Sequence, residues 1–167
     1  KLIGEKFCRA YYEKNNLKTC CFRLFNVYGP RQVSSSYGFV TAIFISRALK
    51  NLDIEIYGDG SQARDFTYIE DVLNCAQIAL KAKACDGEVL NIGTGVKTTI
   101  KSLADTVIKL TNSRSKIRYL PLRSNEISNR CADINKMRNI LEYKPMYNLL
   151  AGIKSTIGWH RLFSKSP

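Results

Sequence analysis

The 167-residue sequence contains a single histidine, His160, and no Cys-x-x-C pair among its six cysteines. Structural zinc is held by closely spaced Cys and His ligands, so this scarcity argues against a zinc site, and no metal is expected. A Ser-His-Asp or Cys-His centre would have to use His160, which stands beside Trp159 in an expected helix and reads as a packing residue. No apolar run reaches the ~18 residues that would read as a bilayer-spanning helix. The opening KLIGEKFCRAYYEK is a mixed amphipathic stretch without a secretory pattern, so no membrane partner is expected. No run of five or six Lys/Arg and no nucleic-acid-binding motif is present, which argues against nucleic acid. There is no internal repeat and no low-complexity linker. No G-x-G-x-x-G turn opens a βα unit, and Gly93-Thr94-Gly95 is too short to be one, so a complete dinucleotide-binding domain is not expected.

What is present is a basic chain with enough apolar content for one core. It is 45% hydrophobic and carries 26 basic against 14 acidic residues, a net charge of +12. The length suits one domain. The basic residues are dispersed along the chain, so most read as solvated surface, but the excess favours an anionic partner such as a phosphorylated small molecule. Cys8, Cys20, Cys21, Cys75, Cys85 and Cys131 read as small core residues of a reducing, cytoplasmic compartment. Cys20 and Cys21, adjacent in a strand, should face opposite sides of the sheet.

Hydrophobic spacing predicts helices over 1–15, 39–50, 70–83, 99–110, 133–141 and 149–163, and strands over 18–25, 54–57, 88–92 and 116–120, with a short extended piece at 66–68. Leu2, Ile3, Phe7, Ala10 and Tyr11 form one stripe on the first helix. Thr98 or Thr99 should cap the fourth helix and Asp133 the fifth. Asp71 near a helix start and the glycines of Asn91-Ile92-Gly93-Thr94-Gly95 read as structural. Alternating helices and strands predict an α/β fold. In open α/β sheets ligands bind at the carboxyl ends of strands. The run Arg23-Leu24-Phe25-Asn26-Val27-Tyr28-Gly29-Pro30-Arg31-Gln32 places Asn26 at such an end, either as a ligand or as a turn-forming asparagine.

Several segments together resemble the carboxyl-terminal half of the extended short-chain dehydrogenases, in particular their nucleotide-sugar epimerase/dehydratase group. They are Phe25 to Gln32, Tyr57 to Val72 (Y-G-D-G-S-Q-A-R-D-F-T-Y-I-E-D-V), Asn91 to Gly95, Arg123 to Ile127, Ala132-Asp133-Ile134 and Leu141 to Pro145. Order and spacing agree over nearly the whole chain. The resemblance implies the last part of a Rossmann-type sheet over 1–30 and a small nucleotide-sugar-binding α/β lobe over 31–167. It implies an NAD-dependent nucleotide-sugar 4-epimerase of the UDP-glucose/UDP-galactose kind. A 4,6-dehydratase, a UDP-glucuronate decarboxylase and a non-catalytic nucleotide-sugar-binding fragment are the alternatives.

By the same resemblance Lys1 matches the lysine of the family's Y-x-x-x-K motif, which holds the nicotinamide ribose and lowers the pKa of the acid/base tyrosine. An ordinary exposed lysine is the bland reading. That tyrosine, the glycine-rich turn and most NAD contacts would precede this segment, so the chain alone is expected to be inactive. Phe25 falls at a cofactor-side position. Arg64 and Arg123 fall at phosphate-binding positions, where a planar fork of donors suits a diphosphate. A salt bridge to Asp65 or Asp71 is the bland reading of Arg64. Asn26 would donate to a phosphate oxygen, Glu126 would accept from the nucleotide ribose hydroxyls, and Tyr57 or Gln32 would line the sugar or base pocket. The family pairs the first helix with its copy, so a homodimer through 1–15 is implied. Three departures stand out: Arg-Ser-Asn-Glu for R-P-G-E, Glu142 at a glycine position, and Leu24 where a tyrosine is frequent.

Overall fold

The computed structural model describes residues 1–33, 39–124 and 127–163. Helix α1 (Leu2–Asn15) leads into β1 (Cys20–Leu24), and the chain bends at Asn26 into β2 (Val27–Tyr28). Next come α2 (Val40–Leu49), β3 (Ile54–Tyr57), β4 (Ala63–Arg64), β5 (Thr67–Tyr68) and α3 (Ile69–Ala79). A 3-10 turn at Lys83–Cys85 precedes β6 (Glu88–Ile92). The order ends with β7 (Thr98–Thr99), α4 (Ile100–Thr111), β8 (Ile117–Leu120), β9 (Asn129–Arg130), α5 (Asn135–Leu141) and α6 (Leu149–Phe163).

The pairings are mostly parallel, as an α/β fold requires. β1 runs beside β6 from Cys20 opposite Glu88 to Leu24 opposite Ile92, and β3 runs beside β8. β2 pairs with β5. β4 lies between β7, antiparallel to it, and β9, parallel to it, with Arg64 opposite Arg130. Parallel neighbours cannot be joined by a tight turn, so each pair encloses a long crossover.

Two apolar clusters sit on these pairs. One packs α2, α4 and α6 against β3, with Phe44, Ile45, Ile54, Leu103, Val107 and Ile153 at its centre. Helix α4 shows why: Ile100, Leu103, Ala104, Val107 and Thr111 are buried at helical spacing, and Thr99 caps it by accepting a 3.0 Å bond from the Ser102 N–H, as expected. The other cluster packs α3 and α5 against β6 through Val72, Cys75, Leu90, Ile92, Met137 and Leu141. Tyrosines tie α6 to the strands: the Tyr28 hydroxyl donates to Leu149 O at 3.3 Å and that of Tyr68 to Ser155 Oγ at 2.8 Å.

Four expectations shift. The third helix stops at Ala79, because the chain must bury Cys85 and turn at Gly87, whose N–H donates to Thr19 O at 2.7 Å. Ile134, not Asp133, occupies the cap of α5; Asp133, one position before the cap, accepts at Oδ1 from the Asn135 N–H at 3.0 Å. Cys8, Cys20, Cys21 and Cys131 are only half-buried, and Cys75 and Cys85 alone are core residues. The stripe on α1 covers nothing: Leu2, Ile3, Phe7 and Tyr11 are 54–71% exposed, and no residue of this helix is buried. Polar contacts and the Tyr12 ring over Gly87 hold the helix. Arg23 donates to both Glu5 oxygens at 2.8 and 2.6 Å, and Thr19 Oγ1 donates to Cys8 O at 3.1 Å.

Candidate functional site

The site forms where β1 ends. The Phe25 N–H donates to Ile92 O at 3.1 Å, which extends the parallel pair by one residue. Asn26 then adopts a left-handed backbone, with φ +31°, a conformation asparagine tolerates better than most residues. Its Nδ2 donates to Asp65 O at 3.1 Å, and its own carbonyl accepts from the Thr67 N–H at 3.4 Å. The turn-forming role is therefore present, and the amide nitrogen keeps a second N–H for a ligand.

A tight turn delivers the arginine. Gly58 and Gly60 have φ of +76° and +78°, and Asp59 Oδ1 accepts from both the N–H and the hydroxyl of Ser61 at 2.9 and 2.6 Å. Across the turn Gln62 Nε2 donates to Tyr57 O at 2.7 Å. Arg64 on β4 and Tyr57 at the end of β3 thus line one cavity. Arg64 Nη1 donates to Ala63 O at 2.9 Å. The guanidinium carbon of Arg123 lies 3.7 Å above the Tyr57 ring centroid, a cation–π stack.

Asn26, Tyr57, Arg64 and Arg123 line one cavity of about 320 Å³, with Ile43, Phe44 and Ile100 as its apolar wall. Its only acid among the described lining residues is Glu55, paired with Arg47 at 3.2 Å, so the described lining carries more positive than negative charge. A second cavity of about 640 Å³ shares Asn26 and is lined by Arg23, Leu24, Phe25, Gln32 and Arg130. A third, about 360 Å³, lies at the opposite end of β1 beside Lys18 and Leu80, away from the carboxyl ends of the strands where α/β folds bind ligands.

The structure therefore brings Asn26, Arg64 and Arg123 together, with Tyr57, and sets Phe25 and Gln32 in the adjoining space. Lys1 caps α1 as an exposed residue and lines neither of these two cavities. Glu126 lies outside the described residues.

Sequence reasoning missed the group that holds the site together. Asp65, fully buried, accepts from the Thr94 N–H and hydroxyl at 2.9 and 2.6 Å, the Gly95 N–H at 2.9 Å and the Ala132 N–H at 3.3 Å. It clamps the Gly93-Thr94-Gly95 turn to the segment leaving β9, and its position directly after Arg64 was the only signal. Asp71 accepts from the Tyr143 hydroxyl at 2.6 Å and the Met146 N–H at 2.8 Å, fixing α3 to the chain before α6. Both acids have structural partners. Burial pushes the Cys20 and Cys75 thiols up to about 12, with Cys85 adding to the effect on Cys20 and Asp71 to that on Cys75, so both stay protonated near neutrality and make poor nucleophiles.

Known proteins resemble this chain in sequence and fold. A sequence profile described as the NAD dependent epimerase/dehydratase family matches residues 1–93. A UDP-N-acetyl-alpha-D-glucosaminuronate decarboxylase of Bacillus cytotoxicus is 35% identical over 167 aligned positions, 96% of this chain and 51% of that protein. A UDP-glucuronate 4-epimerase of Thermodesulfobacterium geofontis is 30% identical over 95% of this chain and 48% of its own. A solved UDP-glucose 4-epimerase with UDP-glucose from Thermotoga maritima superposes with a TM-score of 0.93 at 32% identity, over 99% of this chain and 53% of that one. The chain spans about half the length of the curated relatives it matches. With its fold, its strand-end cavity and its sequence in agreement, this chain belongs to the NAD dependent epimerase/dehydratase family.

Proposed function

We propose that this chain forms the nucleotide-sugar-binding part of an NAD-dependent 4-epimerase acting on a UDP-linked hexose. The observation that carries the reading is the convergence of Asn26, Arg64 and Arg123 on one positive cavity at the end of a parallel strand. Two guanidinium groups match the two charges of a diphosphate, and the second N–H of Asn26 adds a neutral donor. Tyr57 and the wall of Ile43 and Phe44 offer flat and apolar surface to the nucleoside. The sugar then passes Asn26 into the second cavity, beside Gln32 and Phe25.

The residues fit one end of the cofactor. The exposed ammonium of Lys1 at the N-cap of α1 suits a ribose hydroxyl, and Phe25 at the strand end suits the nicotinamide side. No helix among the described residues starts from a glycine-rich phosphate cradle, so the remaining cofactor contacts fall to a part of the protein outside residues 1–167. NAD, when bound, accepts a hydride from the sugar and returns it. Lys1 orients the ribose and favours the anionic form of a neighbouring acid/base. The choice between epimerisation, dehydration and decarboxylation also rests on groups outside this chain.

Calorimetric titration with UDP tests the site. Arg64→Ala and Arg123→Ala should each weaken binding by about 1.5–3 kcal/mol, the range for a hydrogen bond to a charged group. Two variants that melt like the native chain and bind UDP as tightly would sink the assignment. The bare stripe on α1 is proposed to pair with its copy in a homodimer. Phe7→Asp with Tyr11→Asp should shift sedimentation to a monomer; a folded double variant that stays dimeric would remove α1 from the interface.

A further inference from the structure

Arg130 lines the second cavity on β9, in register with Arg64 across the β4–β9 pair. It differs from the other arginines around the site. Arg23 is bound by both oxygens of Glu5, Arg47 by Glu55, and Arg123 lies on the Tyr57 ring. Arg130 makes no ion pair and no side-chain hydrogen bond to a described residue. The rest of the described lining is neutral or neutralised: Leu24, Phe25 and Phe39 are apolar, Asn26 and Gln32 are amides, and Arg23 is paired. One unbalanced positive charge therefore faces the space that adjoins the diphosphate cavity through Asn26. A neutral hexose needs no such charge, whereas a guanidinium fork matches a carboxylate.

We propose that Arg130 selects an acidic sugar, so that the hexose bound here carries a carboxylate, as a hexuronate does. This rests on the nucleotide-sugar reading and narrows it. The diphosphate engages Arg64 and Arg123, the sugar enters the second cavity, and its carboxylate meets Arg130. Because Arg130 is exposed at the rim, the contact is partly screened and weakens with salt.

The test is a set of titrations of the chain with UDP, UDP-glucose and UDP-glucuronate at low salt. UDP-glucuronate should bind about 10-fold more tightly than UDP-glucose, the scale of one charge-assisted hydrogen bond. Arg130→Gln should abolish that gap and leave UDP unchanged, and Arg130→Lys should keep part of it. Equal affinity of the native chain for the two sugars overturns the proposal, as does a gap that survives in Arg130→Gln. A loss of UDP affinity in Arg130→Gln, with a native melting curve, reassigns Arg130 to the diphosphate and also overturns it. A native chain blind to UDP itself refutes the nucleotide-sugar reading, and this inference with it. UDP binding without uronate preference refutes this inference alone.

Discussion

Replacing Asp65 with Asn removes one oxygen atom's worth of acceptor and one charge from the middle of the fold, with little change in shape. In the native chain Oδ1 accepts from Thr94, and Oδ2 accepts from the Gly95 N–H at 2.9 Å and the Ala132 N–H at 3.3 Å. If the remaining oxygen stays with Thr94, the new NH2 group faces two backbone donors. The carboxylate sits so close over Gly93 that a Cβ there would lie 2.7 Å from Oδ2, and Asp65 is fully buried. Each buried donor left without an acceptor costs about 1–3 kcal/mol, and loss of the desolvated charge returns part of that, so the net cost is about 3–4 kcal/mol. Against a domain stability of about 5–15 kcal/mol this leaves a folded but fragile protein. Urea unfolding followed by the fluorescence of Trp159 measures it. Thr94→Val, which removes the hydroxyl that donates to Asp65 at 2.6 Å and accepts from the Val96 N–H at 3.1 Å, should cost about 1–2 kcal/mol. A shift below about 1 kcal/mol for Asp65→Asn would falsify the view that this carboxylate holds the site's loops together.

Two further outcomes concern stability. Glu142 sits past the end of α5 at φ +50°, a left-handed position that disfavours a side chain, so Glu142→Gly should stabilise by about 0.5–1 kcal/mol; a lower urea midpoint would contradict this. Burial holds the His160 imidazole below its ordinary value of 6.5, offset in part by a hydrogen bond with the Gln32 backbone. Between the folded and unfolded values the unfolded chain binds more protons, so this contribution is intact above pH 6.5 and is lost as pH falls below it. Unfolding curves from about pH 8 to about pH 5 should show a shallower acid loss in His160→Gln than in the native chain; identical slopes would exclude His160 as a source.

The sequence by itself determined the long elements and the kind of fold. Helix α4 was legible because Ile100, Leu103, Ala104 and Val107 repeat at the helical period and Thr99 precedes them. β3 and β6 were legible as short apolar runs bounded by turn residues. Family membership was legible in the ordered segments from Phe25 to Pro145. Tertiary structure decided the rest. The two-residue strands β2, β4, β7 and β9 carry no periodicity, and they exist only because partners 34 to 66 positions away supply their hydrogen bonds. The meeting of Asn26, Tyr57, Arg64 and Arg123 depends on parallel register and on one glycine turn, so spacing along the chain could not show it. Asp65 looked like a partner for Arg64, yet its carboxylate reaches three backbone N–H groups remote in sequence. The stripe on α1 has the spacing of a buried face, and only the packing shows that Leu2, Ile3, Phe7 and Tyr11 are left exposed by the described residues. Local pattern reports which face of an element is apolar; what that face meets is fixed by long-range contacts that no local window contains.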